Sequence, residues 1–325
     1  MHALDSALLN DFQRDFPLVP RPFAAIGARL GATEAEVIAR YRVLTAAGMV
    51  SRIGVVFRPN AAGASTLAAL AVPARRLEAV AAFVSAQPEV NHNYEREHRF
   101  NLWFVLTAAS QAALAQAIRR IERATGLAVL SLALEEEYHI DLGFDLRTLA
   151  APRAAARPRA KVPEGDRPLM AAIERGIPLV PEPFEAIGRA AGMSETAVRA
   201  TLERWLASGA ARRFGVVVRH RNLGFAANAM VVWDVPDAEA DEAGARLARA
   251  HGVTLAYRRA RRLPEWPYNL FCMLHGRDRE AVRARIGELR QEAGLAAMPH
   301  EILFSRRCFK QRGAWYATTA EAAHG

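Results

Sequence analysis

Phe16-Pro17-Leu18-Val19-Pro20-Arg21-Pro22-Phe23 returns as Ile177-Pro178-Leu179-Val180-Pro181-Glu182-Pro183-Phe184, and Ile53-Gly54-Val55-Val56 returns as Phe214-Gly215-Val216-Val217. From Phe16 to Ile177 and from Ile53 to Phe214 the spacing is the same 161 positions, so a whole domain has been duplicated rather than a short motif. The 325 residues allow each copy to bury a core of its own. The copies agree where a fold needs them to and differ where chemistry would sit.

Each copy opens with helical signals. In the first these are Leu8 to Phe16, Phe23 to Leu30 ended by Gly31, and Thr33 to Ala47 ended by Gly48; Thr33 and Glu36 have capping-box spacing. Ser194, the run Glu195 to Ser208 and Gly209 repeat the design. A β-rich stretch follows (Val50 to Phe57; Ala211 to Arg219), which makes each opening a winged helix-turn-helix. The rest of each copy alternates strand, helix, strand, strand, helix, strand. The first-copy segments are Leu67 to Val72, Arg75 to Ala86, Glu89 to His98, Asn101 to Leu106, Gln111 to Arg123 and Leu127 to Ile140. Those of the second are Ala226 to Val235, Ala238 to Ala250, Val253 to Arg261, Tyr268 to Leu274, Arg279 to Gln291 and Met298 to Arg306. This order is the split β-α-β of a ferredoxin-like sandwich. The expected class is therefore α+β, a tandem duplication with helix-turn-helix units at 1–60 and 169–221, ferredoxin-like units at 61–149 and 222–325, and a proline-bearing linker at 150–168. Exposed strand edges predict pairing between the halves as an intramolecular pseudo-dimer, with further homo-oligomerisation left open.

At 51% hydrophobic and 24% charged the composition is that of a folded soluble protein. No apolar run approaches the about 18 residues of a membrane span, and Met1 to Asp5 lacks the features of a secretory signal. The expectation is a cytoplasmic protein without a membrane partner. Cys272 and Cys308 stand alone, which disfavours a disulfide scaffold or a cysteine metal site. A net charge of +9 favours an anionic partner: nucleic acid, an acidic surface or a small polycarboxylate. Nucleotide-binding, zinc-protease and serine-hydrolase motifs are missing. Glu135-Glu136-Glu137 reads as a solvated run or as partners for nearby arginines, and His139 and His251 as structural.

A recognition helix reads bases through its first side chains. Here those are Thr33, Glu34, Ala35, Glu36 and Val37, or Ser194, Glu195, Thr196, Ala197 and Val198. Their carboxylates would repel phosphate, so DNA binding is not expected of this scaffold.

The chemistry-bearing segment is His92-Asn93-Tyr94-Glu95-Arg96-Glu97-His98-Arg99-Phe100-Asn101-Leu102-Trp103-Phe104. On a strand, His92, Tyr94, Arg96 and His98 share one face, while Asn93, Glu95 and Glu97 take the other. A strand polar on both faces needs water or a polar ligand on at least one of them. In the second copy Tyr257 matches Tyr94 and Arg259 matches Arg96 at an offset of 163, whereas Leu255 replaces His92 and Arg261 replaces His98. Guanidinium forks, aromatic faces and imidazoles together suit a flat ligand edged with carboxylates; the alternative is a surface hairpin laced with Arg–Glu pairs.

Helix-turn-helix plus ferredoxin-like layout resembles the Lrp/AsnC regulators. The residues go further: His92-x-Tyr94-x-Arg96-x-His98-x-x-Asn101-Leu102-Trp103-Phe104, Tyr257-Arg258-Arg259, Trp266-Pro267-Tyr268-Asn269-Leu270-Phe271 and Leu274-His275-Gly276 resemble siroheme decarboxylases, in the form that fuses the D-type and L-type subunits. The resemblance spans Leu8 to about Gly313. It implies removal of two acetate carboxyl groups from siroheme to give 12,18-didecarboxysiroheme, in the heme d1 biosynthesis of denitrification. No cofactor is implied beyond the substrate's own iron, and no protein-only metal site. The catalytic candidates are His92, His98, Tyr94 and Arg96, with His92 or His98 as proton donor or axial contact to that iron. Substrate-binding candidates are Asn101, Trp103, Tyr257, Arg258, Arg259, Arg261, Arg262, Trp266, Tyr268, Asn269, Arg307 and Lys310, with Trp266 and Tyr268 covering the macrocycle. His275 and His300 are minor candidates for a second station. The class-distinct alternative is an Lrp/AsnC-type transcriptional regulator sensing a small ligand or heme, and a third reading is a tetrapyrrole carrier.

Overall fold

The computed structural model describes residues 3–140, 143, 146, 159–219, 223–224 and 227–316; residues 150–158 of the expected linker lie outside them. The first copy opens with α1 (Ala3–Asn10), α2 (Pro22–Leu30) and α3 (Glu34–Ala46), and the second with α6 (Arg167–Ile173), α7 (Pro183–Ala191) and α8 (Glu195–Ala207). Helices α2 and α7 share one local design: proline in the first turn, where no amide partner is needed, and a left-handed glycine, Gly31 or Gly192, just past the end. Thr33 and Glu36 form the expected capping box, and Ser194 Oγ accepts the Ala197 amide. Two expectations shift. Helix α1 ends at Asn10 rather than reaching Phe16; turns and bends follow, with Asp15 at a φ of 41° just before Phe16. Helix α6 starts inside the expected linker.

The wings β1 (Val50–Phe57) and β6 (Ala211–Val218) pair antiparallel with each other, Gly54 opposite Gly215. Both glycines are required by close approach. A β-carbon at Gly215 would run into the carbonyl oxygens of Phe12 and Gln13, and one at Gly54 would lie 3.1 Å from the Gly176 Cα. Each wing thus receives a segment of the other copy, sealed by Val216 N to Phe12 O and Ile177 N to Ile53 O, both 2.8 Å. One apolar core, with Phe12, Phe23, Phe184 and Trp205 at its centre, serves both helical units.

The first ferredoxin-like unit comprises β2 (Ala64–Leu70), α4 (Leu77–Ala86), β3 (Val90–Arg96), β4 (Leu102–Ala108), α5 (Gln111–Thr125) and β5 (Leu130–Ile140). The second comprises β7 (Ala227–Trp233), α9 (Asp237–Arg249), β8 (Val253–Arg259), β9 (Leu270–Gly276), α10 (Arg279–Glu292) and β10 (His300–Gln311). Their sheets run β3-β4-β2-β5 and β8-β9-β7-β10. Edge pairs with edge, β10 on β3 and β5 on β8, so the two sheets close into one barrel whose eight strands, among the described residues, are each paired on both sides. Strand β10 runs beyond the expected end at Arg306, which lets it span β7 and then β3.

Helices pack outside on Ala68, Leu70, Phe104 and Leu106 in one unit and on Ala229, Val231, Cys272 and Leu274 in the other. Inside, Trp103, Trp266, Phe271, Met230 and Leu303 fill one end of the barrel. The other end, beneath the wings, is hollow.

Candidate active site

That hollow is a cavity of about 370 Å³. Strand β3 supplies His92, Tyr94 and Arg96 to it, as alternation predicts. The opposite face is engaged by protein, with Asn93 Oδ1 left unpartnered among the described residues. Asn93 Nδ2 donates to the Ala81 carbonyl (3.1 Å) and Ser85 Oγ (3.0 Å) of α4, and Glu95 pairs with Arg307.

Across the barrel β8 contributes Leu255 and Tyr257. The Tyr-x-Arg pair is built the same way twice. Arg96 Cζ lies 5.7 Å from the Tyr94 ring centroid and its Nη1 donates to Leu303 O at 3.0 Å; Arg259 Cζ lies 4.6 Å from the Tyr257 centroid and its Nη1 donates to Leu132 O at 2.7 Å. Only Arg96 also reaches the cavity lining.

Several expected site residues lie elsewhere. Strand β3 ends at Arg96 and the chain bends, so parity no longer places His98; its Nδ1 accepts the Phe100 amide (3.0 Å) and its ring packs edge-on to Trp266 at 5.5 Å. Asn101 and Asn269 are matching clamps: Asn101 accepts from Val72 N and donates to Val72 O, and Asn269 does the same with Val235, at 2.9 to 3.0 Å. Trp266 is fully buried, 5.1 Å from Trp103 and 5.0 Å from Tyr268, so Trp266 and Tyr268 belong to the barrel's filled end rather than covering a ligand. Trp103 alone of these aromatics touches the cavity. Arg258 points outward by alternation and pairs with Glu135 and Asp241. Arg261 and Arg262 follow the end of β8; the first pairs with Asp234 and Asp237, the second donates to Ser131 O at 2.9 Å. Arg307 pairs with Glu78 and Glu95 outside the barrel, and Lys310 donates to the Ser85 and Gln87 carbonyls at the end of α4. The acidic run partners arginines: Glu135 with Arg258, Glu136 with Arg159, Glu137 with Arg212.

Five arginines line the cavity, Arg52, Arg96, Arg212, Arg213 and Arg312, and no Asp or Glu does so among the described residues. Local sequence reading missed four of them because they arrive from the wings and from the tail after β10. One signal was present: Arg52 and Arg213 are themselves 161 positions apart, each two residues before a wing glycine. Arg212 is answered by Glu137, and Arg213 donates to the Gln13 and Val216 carbonyls. Arg52 donates to Val55 O at 2.9 Å, and its Nε is buried without a partner, as is that of Arg96. Burial lowers their proton affinity, Arg52 to about 10 and Arg213 to about 9, which still leaves cations at neutral pH.

Two imidazoles share the cavity. His92 Nδ1 lies 3.3 Å from the Tyr94 hydroxyl, and His275 Nδ1 lies 2.8 Å from Thr254 Oγ1. Burial, with Arg52 and Arg312 beside it, pushes His92 down to about 4; burial and then Arg96 push His275 to about 4. Both are neutral in this state. His300 is not among the lining residues; it pairs with Trp233 at the start of β10. Among the described residues no group of three or more His, Cys, Asp or Glu is placed to hold a metal ion, and no helix is long and apolar enough to cross a membrane.

An AsnC-like ligand binding domain matches residues 62–139 and 222–310, and the siroheme decarboxylase NirDL-like HTH domain matches residues 5–50 and 166–212. The siroheme decarboxylase NirDL subunit of Paracoccus denitrificans is 50% identical over 99% of this chain and 99% of its own. A crystal structure of the siroheme decarboxylase NirDL superposes with a TM-score of 0.70 at 29% identity, covering 97% of this chain and 94% of the other. The same enzyme in complex with an iron-uroporphyrin III analogue gives 0.68 at 29% identity, covering 94% and 92%. With the duplicated fold, the basic cavity and these matches together, the chain belongs to the siroheme decarboxylase family.

Proposed function

We propose that this chain removes two acetate carboxyl groups from siroheme, giving 12,18-didecarboxysiroheme for heme d1, and that turnover takes place in the barrel cavity. The observation that carries the reading is a cavity lined by five arginines and no carboxylate. Arg212 is paired with Glu137 on its outer side, but a buried guanidinium such as that of Arg96, whose Nε has no partner among the described residues, is costly unless an anion answers it. A flat polyanion fits that demand. The siroheme decarboxylase relative crystallised with an iron-uroporphyrin III analogue binds a pigment of this shape and charge. Siroheme's iron arrives with the substrate, and we assign the protein no cofactor of its own.

The residues then divide the work. Arg96 orients an acetate at the deep end, beside Tyr94 and Tyr257. When the carbon–carbon bond breaks, CO2 leaves, the electron pair stays on the methylene carbon and spreads into the macrocycle, and a proton completes the methyl group. The field of Arg96, no longer matched by a carboxylate, then acts on that electron pair. His92 is the proposed proton carrier. Its affinity for protons is held down by burial and by Arg52 and Arg312; substrate carboxylates that neutralise those arginines raise it again. His92 takes up a proton as the substrate binds and holds it toward Tyr94 and the pigment. His275, served by Thr254, offers a second imidazole from the other copy. With His92 carrying the proton, His275, held by Thr254 through Nδ1, is the imidazole left to contact the substrate's iron.

A regulatory role is disfavoured by the helical units. Glu34 is paired with Arg21 and Glu195 with Arg199 where base readers would stand, and the wings are consumed by pairing with each other. A cytoplasmic setting suits two cysteines that form no disulfide. Anaerobic incubation of the purified chain with siroheme, followed by mass spectrometry of the pigment, tests the proposal. Loss of two CO2 is expected; pigment that binds and leaves unchanged would make the protein a carrier.

A further inference from the structure

The cavity is not uniform. Toward the barrel's filled end its walls are Leu67, Val105, Met230 and Met273, with Arg96 as the cation among them; toward the wings it is roofed by Arg52, Arg212 and Arg213, and by the tail after β10, which carries Arg312. The roof is a built arrangement. Arg52 is half-buried, and among the described residues it makes no ion pair; its guanidinium is held by the Val55 carbonyl at 2.9 Å, and its buried Nε has no partner. The tail lies flush upon it, since a β-carbon at Gly313 would overlap Arg52 Nη1. Arg312 is fixed from both ends: its amide donates to Asn91 O at 2.9 Å, and its Cζ stacks 3.5 Å from the Trp315 ring centroid, over which Arg175 also lies at 4.6 Å. The tail itself is anchored by the Tyr316 amide on Glu174 (2.9 Å) and by the edge-on contact of Tyr316 with Phe57.

We propose that the paired wings and the C-terminal tail form a subsite that reads the substrate's surviving carboxylates, with Arg52 and Arg312 as its specificity-determining residues, while the apolar barrel end receives the acetate that is lost. The inference rests on the siroheme reading above and adds an orientation to it. A flat pigment rimmed with acid groups entering a pocket graded from cationic to apolar places most of its carboxylates under the wings and desolvates only the group projecting deep. The helical units thus serve the reaction through the guanidinium groups of their wings. The same orientation couples the two zones, because the carboxylates that neutralise Arg52 and Arg312 are the ones that let His92 hold a proton.

Substrate and product separate this proposal from its alternatives, since they differ only in the carboxylates lost. Anaerobic titrations of the full chain with siroheme and with its didecarboxylated product should show Arg52→Gln and Arg312→Gln weakening both ligands by the same factor, about tenfold or more, from loss of one charge-assisted hydrogen bond. KM for siroheme should rise by a similar factor, with kcat falling less. Gly313→Ala, which keeps the charge but displaces the guanidinium, should act in the same direction as Arg52→Gln with a smaller factor, and it serves if Arg52→Gln does not fold. Unchanged affinity for both pigments would overturn the proposal. So would a loss confined to siroheme, because the arginines would then be reading the departing acetates. A melting temperature lowered without this ligand signature assigns Arg52 a purely structural role and also overturns it. Wild-type protein that binds neither pigment would instead refute the underlying siroheme reading.

Discussion

Arg96 and Arg259 offer a matched experiment that the duplication has already built. Arg96 is buried and Arg259 half-buried, each against a tyrosine ring, and both donate to a leucine carbonyl in the neighbouring strand, but only Arg96 lines the cavity. Replacing either with methionine strands a buried carbonyl, which costs about 1–3 kcal/mol, and relieves an uncompensated buried cation, which returns an amount of similar size. The two variants should therefore unfold in denaturant within about 1 kcal/mol of the wild type and of each other. Ligand binding should split them. Arg96→Met removes a charge-assisted bond to an acetate, about 1.5–3 kcal/mol or roughly 10- to 150-fold in siroheme affinity, whereas Arg259→Met leaves affinity near the wild-type value. Urea unfolding in the absence of pigment and anaerobic siroheme titration measure the two effects separately. Equal weakening by both substitutions, or full affinity in Arg96→Met, would refute the assignment of Arg96 to the deep end of the site.

Other outcomes follow from the same geometry. His92 and His275 titrate near 4 in the folded state against 6.5 for an ordinary imidazole, so the unfolded chain binds more protons between these values; stability contributed by keeping them neutral is present above pH 6.5 and drains as pH falls toward 4. A His92→Asn, His275→Asn double variant should show a flatter stability profile across that window, by about 1–3 kcal/mol at its acid end, in urea unfolding at stepped pH. If His92 takes up a proton with the substrate, siroheme binding calorimetry near pH 7 in buffers of different ionisation enthalpy should report proton uptake, and His92→Asn should abolish it. Asn101→Ala or Asn269→Ala should each cost about 1–3 kcal/mol of stability by stranding a paired amide and carbonyl, with siroheme KM unchanged. Gly215→Ala should destabilise by more than about 3 kcal/mol, since backbone carbonyls rather than a movable side chain occupy the space, and a thermal melt would show it.

Period-two alternation was enough to place His92, Tyr94 and Arg96 together, because β3 pairs regularly with β4 from His92 onward, after the register shift between Val90 and His92. It failed at His98 for a local reason. The strand stops, the next residues bend, and side-chain parity ceases to carry information. Arg258, Arg261 and Arg262 failed in two ways: alternation itself turns Arg258 outward, and the other two lie past the end of β8. A run of guanidinium groups marks a charged neighbourhood, but only the strand's phase says which of them share a face. Arg52, Arg213 and Arg312 were out of reach for a different reason. They meet the barrel through pairings between distant parts of the chain, β1 with β6 and β10 with β3, and no window of sequence contains both partners. The repeat came closest to finding them, since the wing glycines it marks are fixed by close packing and the arginines travel with them.

Duplication into two distinct sequences leaves the two copies free to diverge. A barrel closed by two identical subunits would present the same side chains twice, related by a twofold axis, and an unsymmetrical macrocycle could bind it in two equivalent orientations. Here His92 on β3 faces a counterpart, Leu255, that cannot carry a proton, and His275 on β9 corresponds in strand register to Thr107 on β4. The shared parts, Tyr94 with Tyr257 and Arg96 with Arg259, hold the walls in matching geometry. The altered parts break the degeneracy. Restoring symmetry with Leu255→His should then create a second proton-carrying station and loosen the choice between the two substrate acetates. Under limiting turnover, the pigment that has lost a single carboxyl group should change from one regioisomer to a mixture, read by chromatography and mass spectrometry. A single regioisomer, unchanged in this variant, would mean that the arginine-lined roof alone fixes orientation and that the histidine asymmetry serves only proton transfer.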